Sequence, residues 1–177
     1  MQPPNRETIF GVLGRDPVHT FPARMAPSIA LRALLRMKPR GRVLDPMMGS
    51  GTVLALARAK GHQAIGTDID PLAVLMSRVW TTSIAVIAVR KKAVAILAQA
   101  RNLHVQRTIK EAYPASADME TRRFIRYWFD PTARKELAAL AEVISRVRNG
   151  NMRSVLWCGF SRLIIAKQSG AELVPVV

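Results

Sequence analysis

The segment from Val43 to Asp70 brings together the residue types that bind nucleosides. It contains the run Gly49-Ser50-Gly51-Thr52, which follows a short apolar stretch and the acid Asp45. A second acid, Asp68, follows the next apolar stretch. Glycines allow a backbone to approach a ligand closely, and a carboxylate can accept hydrogen bonds from both hydroxyls of a ribose. The spacing therefore indicates a site for a nucleoside cofactor.

The pattern around these residues predicts the elements that must position them. Val43 and Leu44 predict a strand, the glycine run opens a helix, and Ala64-Ile65-Gly66 predicts a second strand with Asp68 at its carboxyl end. Gly61 lies where a helix C-terminus favours positive φ. In parallel α/β sheets, ligands bind outside the carboxyl ends of the strands, beside helix N-termini.

Two common phosphate-binding motifs do not fit the segment. The dinucleotide fingerprint needs a third glycine, and position 54 is leucine. A phosphate-binding P-loop needs lysine followed by serine or threonine after its last glycine, where this chain has Thr52 and Val53. Asp70-Pro71 is typical of a helix cap followed by proline at the first helical position, so we do not expect Asp70 to bind a ligand.

The form DP-x-x-GSGT, with an acid after the second strand, resembles the S-adenosyl-L-methionine loop of the DNA adenine-N6 and cytosine-N4 methyltransferase family. The match covers about residues 18–82, and Met47 stands where the family usually has phenylalanine. By resemblance, Asp68 would hold the ribose and Ile69 the adenine face, while Phe21 and Pro22 would close the pocket from the other side. The residues implied around the methionine part are Asp45, Pro46, Met47, Gly49, Ser50, Gly51 and Thr52.

Charge is the second strong signal in the sequence. The chain has 27 lysines and arginines against 12 acidic residues, a net charge of +15. Such an excess favours a polyanionic partner bound in a salt-dependent way. With the resemblance, this predicts nucleic acid, DNA more than RNA. The alternative is an arginine-rich composition without a specific partner.

Length and composition predict one domain with its own core, spanning residues 1–177. No uninterrupted apolar run exceeds six residues, the length of Ile84 to Val89, so we expect no membrane span. The single cysteine, Cys158, suits a reducing cytoplasm and is expected to be a buried, inert thiol. No metal site is expected.

The predicted fold is α/β: a partial Rossmann-like methyltransferase fold over residues 18–82, followed by a mostly helical extension over residues 83–177. Ile84 to Leu103 reads as a helix, although residues 83–89 also fit a strand. Asp130-Pro131 predicts the start of another helix. The stretch from Arg122 to Phe129 interleaves arginines with aromatic residues, which could bind nucleic acid. We favour the simpler interpretation, in which the apolar members pack inward.

One element of the family is missing. Its enzymes use an Asp, Asn or Ser-Pro-Pro-aromatic motif to accept hydrogen bonds from the target amine, and no such tetrapeptide occurs here. No catalytic residue can therefore be named. We expect a truncated or split DNA methyltransferase whose acceptor motif lies on a second chain or a missing segment. The alternatives are a fragment of a tRNA guanine-N2 type RNA methyltransferase, a non-catalytic basic nucleic-acid-binding module and, disfavoured by charge, a methyltransferase for small molecules or proteins.

Overall fold

The chain forms two compact units, residues 1–83 and residues 84–177. The structure is a computed structural model, and it describes residues 9–14, 19 and 25–165. Within these ranges the fold is mixed α/β and mostly helical, with a single two-stranded sheet. None of the described helices combines the length and apolar character that crossing a bilayer requires.

The N-terminal unit is built on a β-α-β element. The order of its described elements is α1 (Ile9–Leu13), α2 (Pro27–Leu35), β1 (Arg42–Asp45), α3 (Thr52–Ala59), β2 (Gln63–Gly66) and α4 (Pro71–Thr81). Strands β1 and β2 are parallel. Parallel neighbours need a crossover connection, which α3 provides. The carboxyl ends of both strands therefore lie at the same edge, next to the start of α3.

Among the described residues of this unit, the apolar core covers one face of the sheet. Leu56 and Ala57 of α3 are fully buried and pack with Leu31 and Leu34 of α2. Val43 and Ala64, which pair across the two strands, contact this core. The next pair in register lies on the opposite face and is open to solvent: Leu44 is 68% exposed and Ile65 is 66% exposed.

The C-terminal unit is helical throughout its described part. It contains α5 (Val86–Gln106), a 3-10 turn (Ile109–Glu111), α6 (Met119–Trp128), α7 (Pro131–Ser145) and α8 (Gly150–Ile165). Its core is a single apolar cluster on α5, the end of α7 and α8, formed by Ile96, Ala100, Val143, Ile144, Val147 and Leu156. Glu142 of α7 pairs with Arg107 and with Arg146.

Caps predicted from the sequence are confirmed. Asp70 accepts a hydrogen bond from Leu72 N (2.8 Å) at the start of α4. Asp130 accepts hydrogen bonds from Thr132 N and Ala133 N at the start of α7. Gly61 has a φ of +80° beyond the end of α3. Each of these contacts joins residues close in sequence, so local chemistry determines them.

The helix expected over Ile84 to Leu103 is confirmed as α5, which begins at Val86 and excludes the alternative of a strand over residues 83–89. One expectation is wrong. The inward packing of the α6 aromatics fails for Phe124 and Trp128, which are exposed, whereas Ile125 and Phe129 are partly buried. Helical periodicity identifies the two faces of α6, but the face that is covered depends on which neighbouring helix packs against it.

Candidate functional site

The loop between β1 and α3 is held by main-chain hydrogen bonds. Met48 N donates to Thr67 O (3.1 Å), which ties this loop to the segment after β2. Gly51 N donates to Met48 O (2.8 Å), and Gly51 itself is the N-cap of α3 with a φ of +80°. Gly49 also has a positive φ, of +50°. The glycine run therefore turns the chain sharply from the end of β1 into α3, through conformations that residues with a Cβ rarely adopt.

Asp68 joins the two loops at the carboxyl edge of the sheet. Its Oδ2 accepts a hydrogen bond from Gly49 N (2.8 Å), and its Oδ1 accepts one from Asp70 N (2.9 Å). Hydrogen bonds from the main-chain N–H groups of Asp70, Gly49 and Ile69 lower the pKa of Asp68 below its ordinary value. The side chain is thus an ionised acceptor at neutral pH. A carboxylate has about four acceptor positions, so these contacts leave Asp68 able to accept from a ligand.

The hydroxyl residues of the loop face inward. Ser50 and Thr52 are 4% and 3% exposed, and their hydroxyl oxygens lie 3.5 Å apart. Their side chains therefore belong to the packing of the loop. Any ligand on the outer side of the loop would contact main-chain atoms of these two residues.

Gly51 has a structural reason for being glycine that the sequence did not reveal. A Cβ built on Gly51 would lie 2.5 Å from Oγ and 2.8 Å from Cα of Ser77 on α4. A Cβ built on Gly66, at the end of β2, would likewise lie 2.6 Å from Met48 Sδ and 2.8 Å from Leu54 Cδ2. The glycine at 51 therefore allows α4 to pack against the start of α3. Ser77, which takes part in this contact, carried no sequence signal.

Large apolar side chains stand exposed beside these polar groups. Met47 in the first loop is 85% exposed, and Ile69, which directly follows Asp68, is 101% exposed relative to the reference state. Asp45 at the end of β1 accepts a hydrogen bond from Met47 N (3.3 Å). Pro46 O accepts one from the hydroxyl of Thr67 (3.0 Å). The two loops thus present two acids and two uncovered apolar side chains.

The start of α3 adds unpaired donors. The first N–H groups of any α-helix have no partner within the helix, and Gly51 offers no side chain to cap them. These N–H groups and the helix dipole favour an anionic group. S-adenosylmethionine has an amino-acid end, a ribose and an adenine. Its carboxylate suits the start of α3, its ammonium suits Asp45, its hydroxyls suit Asp68, and its adenine suits Ile69. The residues present fit this cofactor.

Most of the predicted site residues lie together on the two loops at this edge of the sheet, from Asp45 to Thr52 and at Asp68 and Ile69. Phe21 and Pro22 lie outside the described residues. Across the parts of the chain that the structure describes, no group of three or more His, Cys, Asp or Glu side chains could hold a metal ion.

A cavity of about 690 Å³ lies elsewhere, within the C-terminal unit. Its walls are mostly apolar and include Ile125, Phe129, Leu137, Trp157 and Phe160. None of the predicted site residues lines it. The candidate site at the sheet edge is defined by the donors and acceptors of its two loops.

Comparison with known proteins gives one informative similarity. Over 70 residues the chain is 43% identical to the type II methyltransferase M.MvaI of Kocuria varians. The matched region is 37% of this chain and 15% of that protein, so the chain spans only a small part of its relative. No family model matches the chain, and no solved structure matches it significantly. Part of this chain is therefore related to a methyltransferase.

Proposed function

We propose that the chain binds S-adenosyl-L-methionine and contributes the cofactor-binding part of a DNA methyltransferase that modifies the exocyclic amine of adenine or cytosine. Residues 18–82 would form the cofactor-binding core, and residues 83–177 a helical extension. The observation that carries the proposal is the Asp68 carboxylate held against Gly49 N at the carboxyl edge of two parallel strands. The similarity to a type II methyltransferase supports the same assignment.

The chain's own residues would bind and orient the cofactor. Asp68 would accept from the ribose hydroxyls, and its lowered pKa keeps it ionised for that role. Ile69 would lie against the adenine, and Met47 would cover apolar atoms of the ligand. The main chain of Gly49 to Thr52 and the carboxylate of Asp45 would surround the methionine end, with Phe21 and Pro22 opposite. The bound cofactor would supply an electrophilic methyl group for attack by the amine.

The acceptor for that amine has to come from outside this sequence. A base must be extruded from the duplex for its amine to reach a methyl donor, and the amine must then be oriented. Orientation of this kind contributes about 7–11 kcal/mol in favourable cases. We propose that a second chain or segment carrying the Pro-Pro-aromatic motif supplies it. The 177-residue chain alone should therefore bind cofactor without transferring methyl groups.

Calorimetry of the full chain with S-adenosylmethionine and S-adenosylhomocysteine tests the cofactor assignment. We expect saturable binding of both, and Asp68→Ala should weaken it at least about tenfold because the ribose loses a charged acceptor. Asp68 also braces Gly49, so loss of binding alone would not prove a ribose contact. The decisive comparison uses an S-adenosylhomocysteine analogue with a deoxyribose. The wild type should distinguish it from the parent ligand, and Asp68→Ala should not.

Ile69 allows a matched control. Ile69→Ala should weaken cofactor binding because the adenine loses its apolar contact, whereas Ile65→Ala should leave affinity unchanged. Both isoleucines are exposed, and Ile65 lies on the open face of β2. Equal effects of the two variants would place the ligand away from Asp68. Absence of any cofactor binding by the wild type would contradict the proposal.

A methyl-transfer assay with labelled cofactor and mixed DNA tests whether the amine acceptor comes from a second chain or segment. We expect no incorporation by this chain alone, and incorporation when a chain with the acceptor motif is added. Robust turnover by the chain alone would contradict the split-enzyme proposal while leaving the cofactor site intact. RNA in a parallel reaction distinguishes the DNA enzyme from an RNA enzyme.

A further inference from the structure

Helix α6 presents a cluster of aromatic rings to solvent. Phe124 is 59% exposed, Tyr127 is 81% exposed and Trp128 is 62% exposed. No residue of this helix is buried. Isolated exposed apolar residues are ordinary, but contiguous ones mark interaction sites. Three neighbouring exposed rings on one helix therefore mark a candidate interaction surface.

These rings do not hold the C-terminal unit together. The packing side of α6 is formed by Ile125 and, just after the helix, Phe129, which are partly buried and line the same cavity as Leu137 of α7. The three exposed rings instead contact one another. The ring centroids of Phe124 and Trp128 lie 6.1 Å apart, and those of Tyr127 and Trp128 lie 5.2 Å apart with the planes nearly perpendicular. Phe124 and Tyr127 thus both contact Trp128, and all three rings are exposed.

Exposed arginines are interleaved with the rings along the same helix. Arg122, Arg123 and Arg126 are exposed, and Arg123 stands one turn before Tyr127, the spacing at which helix side chains are neighbours. The ion pairs found among the described residues are made by Glu142, with Arg107 and Arg146, and leave these three cations uncompensated. Arg122 is partly committed, since its Nε donates to Ala117 O (3.0 Å) and its guanidinium lies 5.2 Å from the Tyr113 ring centroid. Arg123 and Arg126 therefore remain available for an anionic partner.

This combination fits unpaired nucleotides better than other partners. Single strands are bound by stacking bases on aromatic rings while cations follow the phosphates. A duplex hides the faces of its bases and would use only the arginines. Protein interfaces are also enriched in aromatic residues and arginine, so the net charge of the chain decides between these partners. The net charge of +15 opposes self-association and favours a polyanion.

We propose that α6 binds unpaired nucleotides, with Phe124, Tyr127 and Trp128 stacking on bases and Arg123 and Arg126 contacting phosphates. An extruded target region or a single strand, in DNA or RNA, would offer both groups. The inference extends the nucleic-acid part of the proposed function, and failure of the cofactor part would not affect it.

The test measures binding of the full chain to labelled oligonucleotides of about 12 nucleotides, a length within the range that one single-strand site covers. Four probes are needed: single-stranded DNA, RNA of the same sequence, the duplex, and a strand in which abasic sites replace the bases. We expect the base-containing single strands to bind about tenfold or more tightly than the abasic strand, because stacking on each ring contributes this much. The order of DNA and RNA identifies the natural source. Equal binding of abasic and complete strands would overturn the proposal.

Variants of Tyr127 separate stacking from charge. Tyr127→Ala should weaken single-strand binding about tenfold, whereas Tyr127→Phe keeps the ring and should bind like the wild type. Quenching of Trp128 fluorescence on binding should disappear in Trp128→Phe. Equal affinities of Tyr127→Ala and Tyr127→Phe would overturn the proposal. So would a Tyr127→Ala variant that loses self-association or vesicle binding but retains oligonucleotide binding.

Arginine variants test the phosphate contacts. Replacing Arg123 and Arg126 with glutamine should reduce the salt dependence of binding by about one unit of slope each. Arg101→Gln, on the exposed surface of α5, removes the same charge elsewhere and should leave the slope unchanged. If Arg123→Gln, Arg126→Gln and Arg101→Gln all gave the same slope of affinity against salt concentration, the assignment of these phosphate contacts would be overturned. Calorimetry with S-adenosylhomocysteine should give wild-type values for every α6 variant, which separates this surface from the cofactor site.

Discussion

The candidate binding sites of the two units are built from different kinds of groups. In the N-terminal unit the polar part of the site consists mainly of main-chain groups and the carboxylates of Asp45 and Asp68: Asp68 accepts from Gly49 N, and Met48 N donates to Thr67 O. In the C-terminal unit the candidate surface consists of side chains, with Tyr127 and Trp128 exposed on α6. A main-chain site depends on backbone conformation and tight packing. A side-chain surface depends on what a folded helix leaves uncovered.

This difference determines how substitutions should act in each unit. Changes at the loop of the N-terminal unit should disturb folding and binding together, because the same atoms serve both. Changes at the exposed surface of the C-terminal unit should alter binding alone. The chain contains residue pairs of the same type in the two situations, and these allow the contrast to be measured.

The tryptophans should show the largest difference. Trp80 is 3% exposed and packs with Ala55 and Leu13, whereas Trp128 is 62% exposed. Trp80→Ala should lower the free energy of unfolding by about 3–5 kcal/mol, the range for a buried aromatic. Trp128→Ala should change it by less than about 0.5 kcal/mol, as at other open surface positions. Urea unfolding followed by circular dichroism measures both. A comparable loss in Trp128→Ala would mean that the α6 rings are part of a core.

Two glycines sharpen the description of the N-terminal unit. Gly51 and Gly61 both have a φ of +80°, but a Cβ at 51 would collide with Ser77, whereas a Cβ at 61 meets nothing within 4 Å. Gly61→Ala should therefore cost only the left-handed conformation, about 1–2 kcal/mol. Gly51→Ala should cost more, about 2–5 kcal/mol, because it also overpacks the contact between α3 and α4.

Chemical unfolding of both glycine variants provides the measurement. Adding Ser77→Gly to Gly51→Ala should recover only part of the loss, since Cα of Ser77 would remain 2.8 Å from the new Cβ. Equal losses in Gly51→Ala and Gly61→Ala would contradict the close approach of α4 to the loop.

Glu142 tests whether charge contributes to stability inside the C-terminal unit. It pairs with Arg107, whose side chain is 11% exposed, and with Arg146, whose side chain is 67% exposed. Glu142→Gln should lower the free energy of unfolding by about 1–3 kcal/mol, because it leaves a poorly solvated guanidinium without its counter-ion. Arg146→Gln should cost less than about 1 kcal/mol.

Salt separates these two contributions. The effect of Arg146→Gln should vanish at high ionic strength, while most of the effect of Glu142→Gln should persist because the contact with Arg107 is shielded from solvent. Unfolding curves at low and high salt measure this. Complete loss of both effects at high salt would mean that the Arg107 pair is solvated like a surface pair.

Acid should reveal the smallest effect, at Asp68. Main-chain N–H groups of Asp70, Gly49 and Ile69 lower its pKa in the folded chain, whereas the unfolded value is about 3.9. A lowered folded pKa contributes stability above the unfolded pKa, and this is lost as pH falls through the folded value. The melting temperatures of wild type and Asp68→Ala should therefore converge as the solution is acidified below about pH 4.

Asp118 provides the counterpart in the C-terminal unit. Its pKa is also lowered, chiefly by the N–H of Thr121 at the start of α6. Asp118→Ala should show the same convergence in acid but leave cofactor binding unchanged, whereas Asp68→Ala should affect both. A constant difference in melting temperature between wild type and Asp68→Ala across this pH range would contradict the hydrogen bonds assigned to its carboxylate.

Sequence patterns predicted the local features of the N-terminal unit well. The two strands, the glycine turn and the helix follow from short apolar stretches and glycines within a few positions of one another. The Asp70 cap reaches only to Leu72. The contacts that shape the site join residues far apart in the sequence. Asp68 meets Gly49 across 19 residues, and Gly51 meets Ser77 of a different helix. Spacing predicted that Asp68 and the glycine run share one site, but it did not specify the approach of Ser77 to Gly51, because that depends on how α3 and α4 pack.

In the C-terminal unit, too, the sequence predicted local features but not the packing of whole helices. Helix starts at Asp118 and Asp130 are encoded by caps that bond within three residues. Whether Phe124 and Trp128 are buried depends on which side of α6 lies against α7, and Ile125 and Phe129 take that position. Phe124 and Trp128 share one face of α6 and Ile125 and Phe129 share another, because each pair is four residues apart, and the sequence alone does not say which face is covered.

The open sheet of the N-terminal unit has a consequence for the behaviour of the protein in solution. Within the described residues β1 and β2 pair only with each other, and Leu44 and Ile65 lie uncovered on one face. Unpaired strand edges beside apolar surface promote aggregation. The charge of +15 keeps molecules apart, but its range shrinks from about 10 Å to about 3 Å between 0.1 M and 1 M salt. Salt used to strip nucleic acid from the protein during purification should therefore lower its solubility.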